Sequence, residues 1–345
     1  MLVKEHFGDP MIEQRKLSEG GALCLLDTQG VISVSGVDRL TWLHSLLSQN
    51  LKDLSAGESA EALLLDPQGR IEQVIKIIDD GQTSWLMVDK ENTESLLSWL
   101  QKMVFRMKVE ITDRSAEFAT VGATTLNPEI SFVSNEHPLI WKDQWPGVVA
   151  GGFRYSTRAV DYTWFEHLVQ IADLEKVLAG KALAGTMAAD GLRVAAGRPK
   201  AINEVDEKSL PHELDLLSTA VHLSKGCYRG QESVAKVHNL GHPPRRLTFL
   251  HLDGSEHALP DVGDEVRVAG EDKSRGKITS TAQHFEMGPI ALAVISRSVP
   301  EDAALEVVGK HGLIAATQEV IVPQSAGSVA NIPKLPKLNL GAKAK

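Results

Sequence analysis

The densest chemistry in the sequence lies in one run of eight residues, Lys225-Gly226-Cys227-Tyr228-Arg229-Gly230-Gln231-Glu232. A thiol flanked by Lys225 and Arg229 is in surroundings that favour the thiolate, the nucleophilic and redox-active form. Gly226 and Gly230 allow a tight backbone path that bulkier residues would block, so Cys227 and Tyr228 are expected on a bend. Gln231 and Glu232 then open an expected helix through Ser233, Val234 and Val237. Two readings of Cys227 stay open on spacing alone: a reactive thiol, or a small side chain buried under a glycine-rich turn.

Other candidates carry less. Cys24 lies inside an apolar run and reads as core. Cys227, His238 and His242 have a spacing that can suit zinc, but His238 to Pro244 reads as a breaker-rich loop with no second cysteine, and no metal is expected. His44, His167, His212, His222, His251 and His257 form no cluster and read as solvated or capping groups. No G-x-S-x-G turn supports a serine hydrolase. Arg229, Lys236, Arg245 and Arg246 make a modest basic stretch, read as solvated surface.

The chain has 345 residues, enough for two or three domains with buried cores. Hydrophobic residues make up 43% and charged residues 23%, a globular profile. With 45 acidic against 36 basic residues the net charge is -9, which argues against direct nucleic-acid binding and for a small-molecule or protein partner. Two cysteines make no disulfide framework. The first residues lack the apolar run and cleavage site of a signal peptide, and no stretch of about 18 apolar residues is present to span a membrane. The cytoplasm is the expected compartment.

The elements that must position the octapeptide read as an α+β arrangement. Ordered structure is expected from Ala22. Leu23 to Leu26 and Val31 to Val34 flank Asp27-Thr28-Gln29-Gly30 as a hairpin. Asp38 caps a helix carrying Leu40, Leu43, Leu47 and Leu51. Strands from Ala60 to Leu65 and Ile71 to Ile78 enclose the turn Asp66-Pro67-Gln68-Gly69-Arg70, and a third runs from Thr83 to Val88. Thr93 caps a helix with Leu96, Leu97, Leu100, Met103 and Val104 on one face. Residues 124–152 read as irregular with short strands. A helix is expected from Thr163 to Ala179, carrying Leu168, Ile171, Leu174 and Leu178. Short strands at Leu247–Leu252, Glu265–Ala269, Lys277–Thr281 and Ile290–Ile295 read as a small antiparallel barrel. The absence of GxGxxG and GxxxxGK[ST] removes Rossmann and P-loop readings.

The octapeptide resembles the signature K-G-C-Y-x-G-Q-E of the YgfZ-type folate-binding proteins and matches it at every fixed position. Supporting pieces lie in the family's order: Gly36-Val37-Asp38-Arg39 with Trp42-Leu43, Gly69-Arg70-Ile71, Leu192 to Gly197 followed by Pro199, Pro211-His212-Glu213, and Arg246-Leu247. The resemblance covers roughly residues 22–300. It implies a three-lobed fold related to the aminomethyltransferase (T protein) of glycine cleavage, around a central folate pocket. Residues 22–240 would form the folate-binding region of two intertwined α+β lobes, 245–322 the C-terminal barrel, and 323–345 a disordered tail.

The resemblance also implies tetrahydrofolate or a derivative as ligand, and iron–sulfur client or assembly proteins as partners. One of these clients would be a tRNA-thiolating enzyme. Tyr228 and Glu204 would contact the folate, and Arg193 would meet either the ligand's carboxylates or a structural acid. Cys227 would place a thiolate at the pocket rim, Lys225 would supply positive charge, and Gln231 and Glu232 would hold the turn. If the chain transferred a one-carbon unit like the T proteins, Glu72 would be its acid. Three positions depart from the transferases. Glu72-Gln73 replaces a pair of aspartates, Ala195 replaces an acid, and Ser48-Gln49-Asn50 replaces A-N-D. A folate-dependent accessory factor, an aminomethyltransferase and a scaffold with a vestigial pocket are the three functions to be distinguished.

Overall fold

The computed structural model describes residues 3–26, 29–255, 259–310 and 312–330. The chain begins with α1 (Pro10–Ser18), well before Ala22. Asp9 caps it through the N–H groups of Met11 and Ile12, with proline at the first helical position. β1 (Leu23–Leu26) and β2 (Gln29–Ser35) follow, but they are not a hairpin pair. Both runs are buried on both faces, so each needs neighbours on both sides, and they enter different sheets. Asp27 and Thr28 of the expected turn, and His257, lie outside the described residues.

The first sheet joins β2 to β3 (Ser59–Leu65), β4 (Ile71–Asp79), β5 (Thr83–Asp89) and β6 (Glu110–Asp113) in the antiparallel order β3-β4-β5-β2-β6. Its outer face carries Ile32, Val34, Ile75 and Ile77 under α2 (Arg39–Leu46) and α3 (Thr93–Lys102). α2 stops at Leu46; Leu47 and Leu51 are buried in the chain beyond it. Neither expected cap acts in the expected way. The Asp38 carboxylate accepts the Lys108 N–H instead, and the Thr93 hydroxyl lies buried without a partner.

The second sheet is built from β1, β7 (Phe118–Ala123), β10 (Ile140–Lys142), β11 (Phe165–Gln170) and β12 (Leu183–Ala184), with β8 (Val133–Ser134) and β9 (His137–Pro138) as a small ribbon beside it. β11 is the main correction to the sequence reading. The stretch expected as one helix divides into this strand and a short α4 (Leu174–Leu178). Residues 166–169 are all buried between β7 and β10, so no alternation shows and the spaced leucines imitate a helix. Val31, Trp85 and Met87 of the first sheet pack against Cys24, Trp141 and Leu168 of the second.

α5 (Thr186–Ala195) and α6 (Ala201–Glu204) then lead through residues 211–228 to α7 (Gln231–Leu240), the helix expected after the octapeptide. It runs three residues into the segment expected as loop. β13 (Arg245–Leu252), β14 (Glu265–Val268), β15 (Ser274–His284), β16 (Gly288–Ser296), β17 (Leu305–Gly309) and β18 (Gly312–Val320) close an antiparallel barrel. The first four were legible in the sequence; the last two were not. Residues 323–330, assigned to a tail above, are ordered: Ala326 is buried, and the N–H groups of Val329 and Ala330 bond to the carbonyls of His238 and Asn239 near the end of α7. Residues 331–345 lie outside the described residues. No helix among the described residues is long and apolar enough to cross a membrane.

Candidate functional site

The octapeptide is a joint between the first sheet and α7. Gly230 has φ +83, and a Cβ there would lie 2.5 Å from the Asp66 carbonyl oxygen and 3.0 Å from Gly69 Cα. Gly69, at φ +78, faces Ser233 and Gly230 in return. Two glycines therefore let the β3–β4 turn touch the start of α7, which no side chain would permit. Gly226 needs no such freedom; a Cβ there meets nothing within 4 Å.

Lys225 is buried, and its ammonium donates to the carbonyls of His44, Leu47 and Gln49 at the end of α2. Burial and nearby Lys52 pull its pKa down to about 8, against three carbonyls that favour the charged form. The Gln231 amide closes the loop by donating to the Lys225 carbonyl. Glu232 is exposed in the first turn of α7, where the helix dipole favours an acid. Tyr228 is packed in the core with Leu65 and Ile71, and burial pushes its pKa up to about 12.

Cys227 is exposed, so the packing reading fails for this residue. Cys24 is the buried cysteine; burial pushes its thiol up to about 12 and keeps it unreactive. Arg229 bonds Glu72 at 2.7 Å. Register slips at Glu72, since Leu64 faces Gln73 while Leu65 faces Ile71. Glu72 is thus a β-bulge, a device that re-aims neighbouring side chains. It turns Ile71 into the central core while Ile75 stays on the helix-covered face.

Further along β4, Val74 and Lys76 line a cleft between the two sheets and the α5–α6 segment. Its enclosed volume is about 110 Å³, and about 770 Å³ of non-atom space is reached when the open solvent at its mouth is included. Two ionic clusters form its walls. Arg198 bridges Glu61 and Asp143, and Thr219 donates to Glu61 at 2.6 Å. Burial and Glu61 push the Asp143 pKa up, against the pull of Arg198. Opposite, Glu166 accepts from Lys76 at 2.6 Å, Gln29 at 2.8 Å and Trp164 at 3.1 Å. Burial works against its ionisation, yet Lys76 holds its carboxyl below the usual range. Asp89 is pushed up by burial. Tyr162, Trp164, Met87 and Leu26 give the cleft flat apolar walls. Arg198 Nη1 and Gln29 Oε1 are buried with no partner.

The residues expected from sequence are only partly gathered here. Arg193 lines the cleft, but each of its nitrogens is committed: to Asp190 at 2.9 Å, to the Arg198 carbonyl at 2.9 Å and to Ser280 at 2.9 Å. Glu204 is buried beside it and accepts from Ser280 and from the Lys200 N–H. Cys227, Tyr228, Glu72 and Glu204 are not among the lining residues. Glu61, Lys76, Asp143, Glu166 and Arg198 escaped the sequence reading. For Glu61, Lys76 and Glu166 the signal was charge inside otherwise apolar strands, as in Glu61 among Ala60, Ala62 and Leu63, whereas Asp143 and Arg198 lie outside the strands and carried none. The expected basic stretch disperses: Arg245 pairs with Asp206 and Glu213, and Arg246 is buried in the barrel. His238 bonds the Tyr155 hydroxyl and His242 the Ala326 carbonyl. No group of three potential metal ligands occurs among the described residues.

No family model matches the chain. It is 26% identical over 338 residues to the iron–sulfur cluster assembly factor IBA57 homolog of Mycosarcoma maydis, covering 84% of this chain and 78% of that one. It is 25% identical over 295 residues to the tRNA-modifying protein YgfZ of Edwardsiella ictaluri, covering 83% and 87%. The chain is thus similar to the YgfZ-type proteins over most of its length. A putative chloroplastic transferase of Arabidopsis thaliana is 27% identical over 285 residues, 76% of this chain, and the chain spans only 63% of that relative's length. Aminomethyltransferase T of the glycine cleavage system from Bartonella henselae superposes with a TM-score of 0.72 at 17% identity, covering 91% of this chain and 89% of that one. The fold of this chain is therefore the aminomethyltransferase fold.

Proposed function

We propose that the protein binds a reduced folate, tetrahydrofolate or a derivative, in the central cleft, and serves iron–sulfur cluster assembly or tRNA modification as an accessory factor. The cytoplasm is its expected compartment, and iron–sulfur client or assembly proteins are its expected partners. The observation that carries the ligand reading is the cleft itself. Flat apolar walls from Tyr162, Trp164 and Met87 suit a fused heteroaromatic ring. The unpartnered Arg198 N–H and Gln29 carbonyl oxygen offer that ring one donor and one acceptor. Arg193 and Glu204 serve as braces behind this site, and Tyr228 as core beneath the signature. Cys227 acts separately from the ligand, as an exposed thiol on a rigid joint.

Aminomethyl transfer draws less support. Its expected acid, Glu72, is tied to Arg229 and stands on a bulge outside the cleft lining. Calorimetric titration with tetrahydrofolate tests the proposal. Saturable binding is expected, weakened about tenfold by Gln29→Leu and unchanged by Cys227→Ala. Cys227→Ala should instead lower the activity of iron–sulfur enzymes in cells without altering thermal unfolding. No saturation with the unaltered protein would remove the folate reading and leave a scaffold with a vestigial pocket.

A further inference from the structure

The corner between α3 and β6 displays the most exposed large apolar side chains of the described residues, Phe105 at 82% and Val37 at 80%. Phe105 also has φ +46. A hydrogen bond from Met107 N–H to the Val104 carbonyl closes the turn around it. Positive φ at the first central residue alone is the position that glycine takes in such turns, and a bulky aromatic there is strained. The surroundings hold it. Trp42 Nε1 donates to the Met103 carbonyl at 3.0 Å, and the Asp38 carboxylate accepts the Lys108 N–H at 2.7 Å. Gly36, at φ +114, lets the Val37 turn lie directly against the Lys108 carbonyl. Both turns are thus pinned to one another and to α2, and both present an apolar side chain to solvent.

Around them stand Lys102, Arg106 and Lys108, all solvent-accessible and without an ion pair among the described residues. The molecule as a whole carries a net charge of -9, but this corner sets three cations against Asp38 and Glu110, so it is a locally basic place that an acidic partner can approach. A rigid aromatic anchor with arginine beside it is the usual composition of a binding hot spot. We propose that Phe105 and Val37, with Lys102, Arg106 and Lys108, form a docking surface for an acidic segment of a partner protein bearing an apolar side chain. Three cations are few for holding a nucleic-acid backbone, and the adjoining Val37 favours an apolar contact over a stacked base. This surface is separate from the cleft, and its function does not depend on the ligand bound there.

Fluorescence anisotropy of the full chain tests it with three labelled probes: a peptide alternating glutamate and leucine, its glutamine counterpart, and oligouridylate RNA. Saturable binding of the acidic peptide alone is expected. Phe105→Gly should weaken it about tenfold or more, while raising the unfolding midpoint because glycine accepts the positive φ. Arg106→Ala should weaken it and flatten its salt dependence. Tetrahydrofolate titration should be identical for the unaltered chain and both variants. Failure to bind the acidic peptide, preference for RNA, equal binding of the glutamine peptide, or indifference to Phe105→Gly would each overturn the proposal.

Discussion

Asp215 shows how far a single residue can depart from what its type suggests. It is fully buried at φ +57, its Oδ1 accepts the Tyr155 N–H at 2.7 Å, and its Oδ2 has no hydrogen-bond partner. Burial pushes its pKa up to about 7, and Arg154, 3.9 Å away, offsets only part of that. The folded chain therefore holds a proton here that the unfolded chain releases near pH 4. Stability from this group is complete below about pH 4, falls as pH rises toward 7, and is level above it. An Asp215→Asn variant would keep the acceptor, tolerate the left-handed backbone and never ionise. The variant should unfold at higher urea concentration than the unaltered protein at pH 8, by about 2–4 kcal/mol, and the difference should vanish near pH 4. An equal difference at both pH values would exclude ionisation as the cause.

At the scale of elements, the joint between the β3–β4 turn and α7 separates two glycines that look alike in the sequence. Gly230→Ala forces a left-handed alanine into the Asp66 carbonyl and should cost about 2–4 kcal/mol in denaturant unfolding. Gly226→Ala should change stability by less than about 0.5 kcal/mol. The octapeptide, the paired strands with their Pro-Gly turn and the start of the barrel were legible because local chemistry fixes them. What was not legible depends on neighbours distant in the chain. β11 is buried on both faces and shows no alternation. β1 and β2 part company because each is completed by strands far along the chain, β12 and β6 among them. The bulge at Glu72 is a matter of register, which no single strand records. α1 was the avoidable omission, since Asp9-Pro10 is a cap followed by a first-turn proline. The cleft was hidden for the same reason as β11, as its charges come from β3, β4, β11 and the chain after α5.

For the molecule as a whole, the barrel is fastened to α5, α6 and residues 206–213 by polar contacts as well as by apolar packing. Arg193 and Glu204 meet Ser280 of β15, and Arg245 of β13 meets Asp206 and Glu213. Arg193→Ala leaves the Glu204 carboxylate buried without its cation and should destabilise by about 3–5 kcal/mol in urea unfolding. Adding Glu204→Gln should recover a substantial part, which a purely ligand-contacting arginine would not show. α1 makes a similar connection. Gln14 accepts the Phe285 N–H at 2.8 Å and donates to the Gln283 carbonyl, while Glu13 binds the Gly185 N–H. A helix begun at residue 10 thus finds part of its seat only when residue 285 has left the ribosome. α1 must wait, half-docked, for the chain that follows β15, and a chain stalled before β15 would leave that helix open to proteases and chaperones.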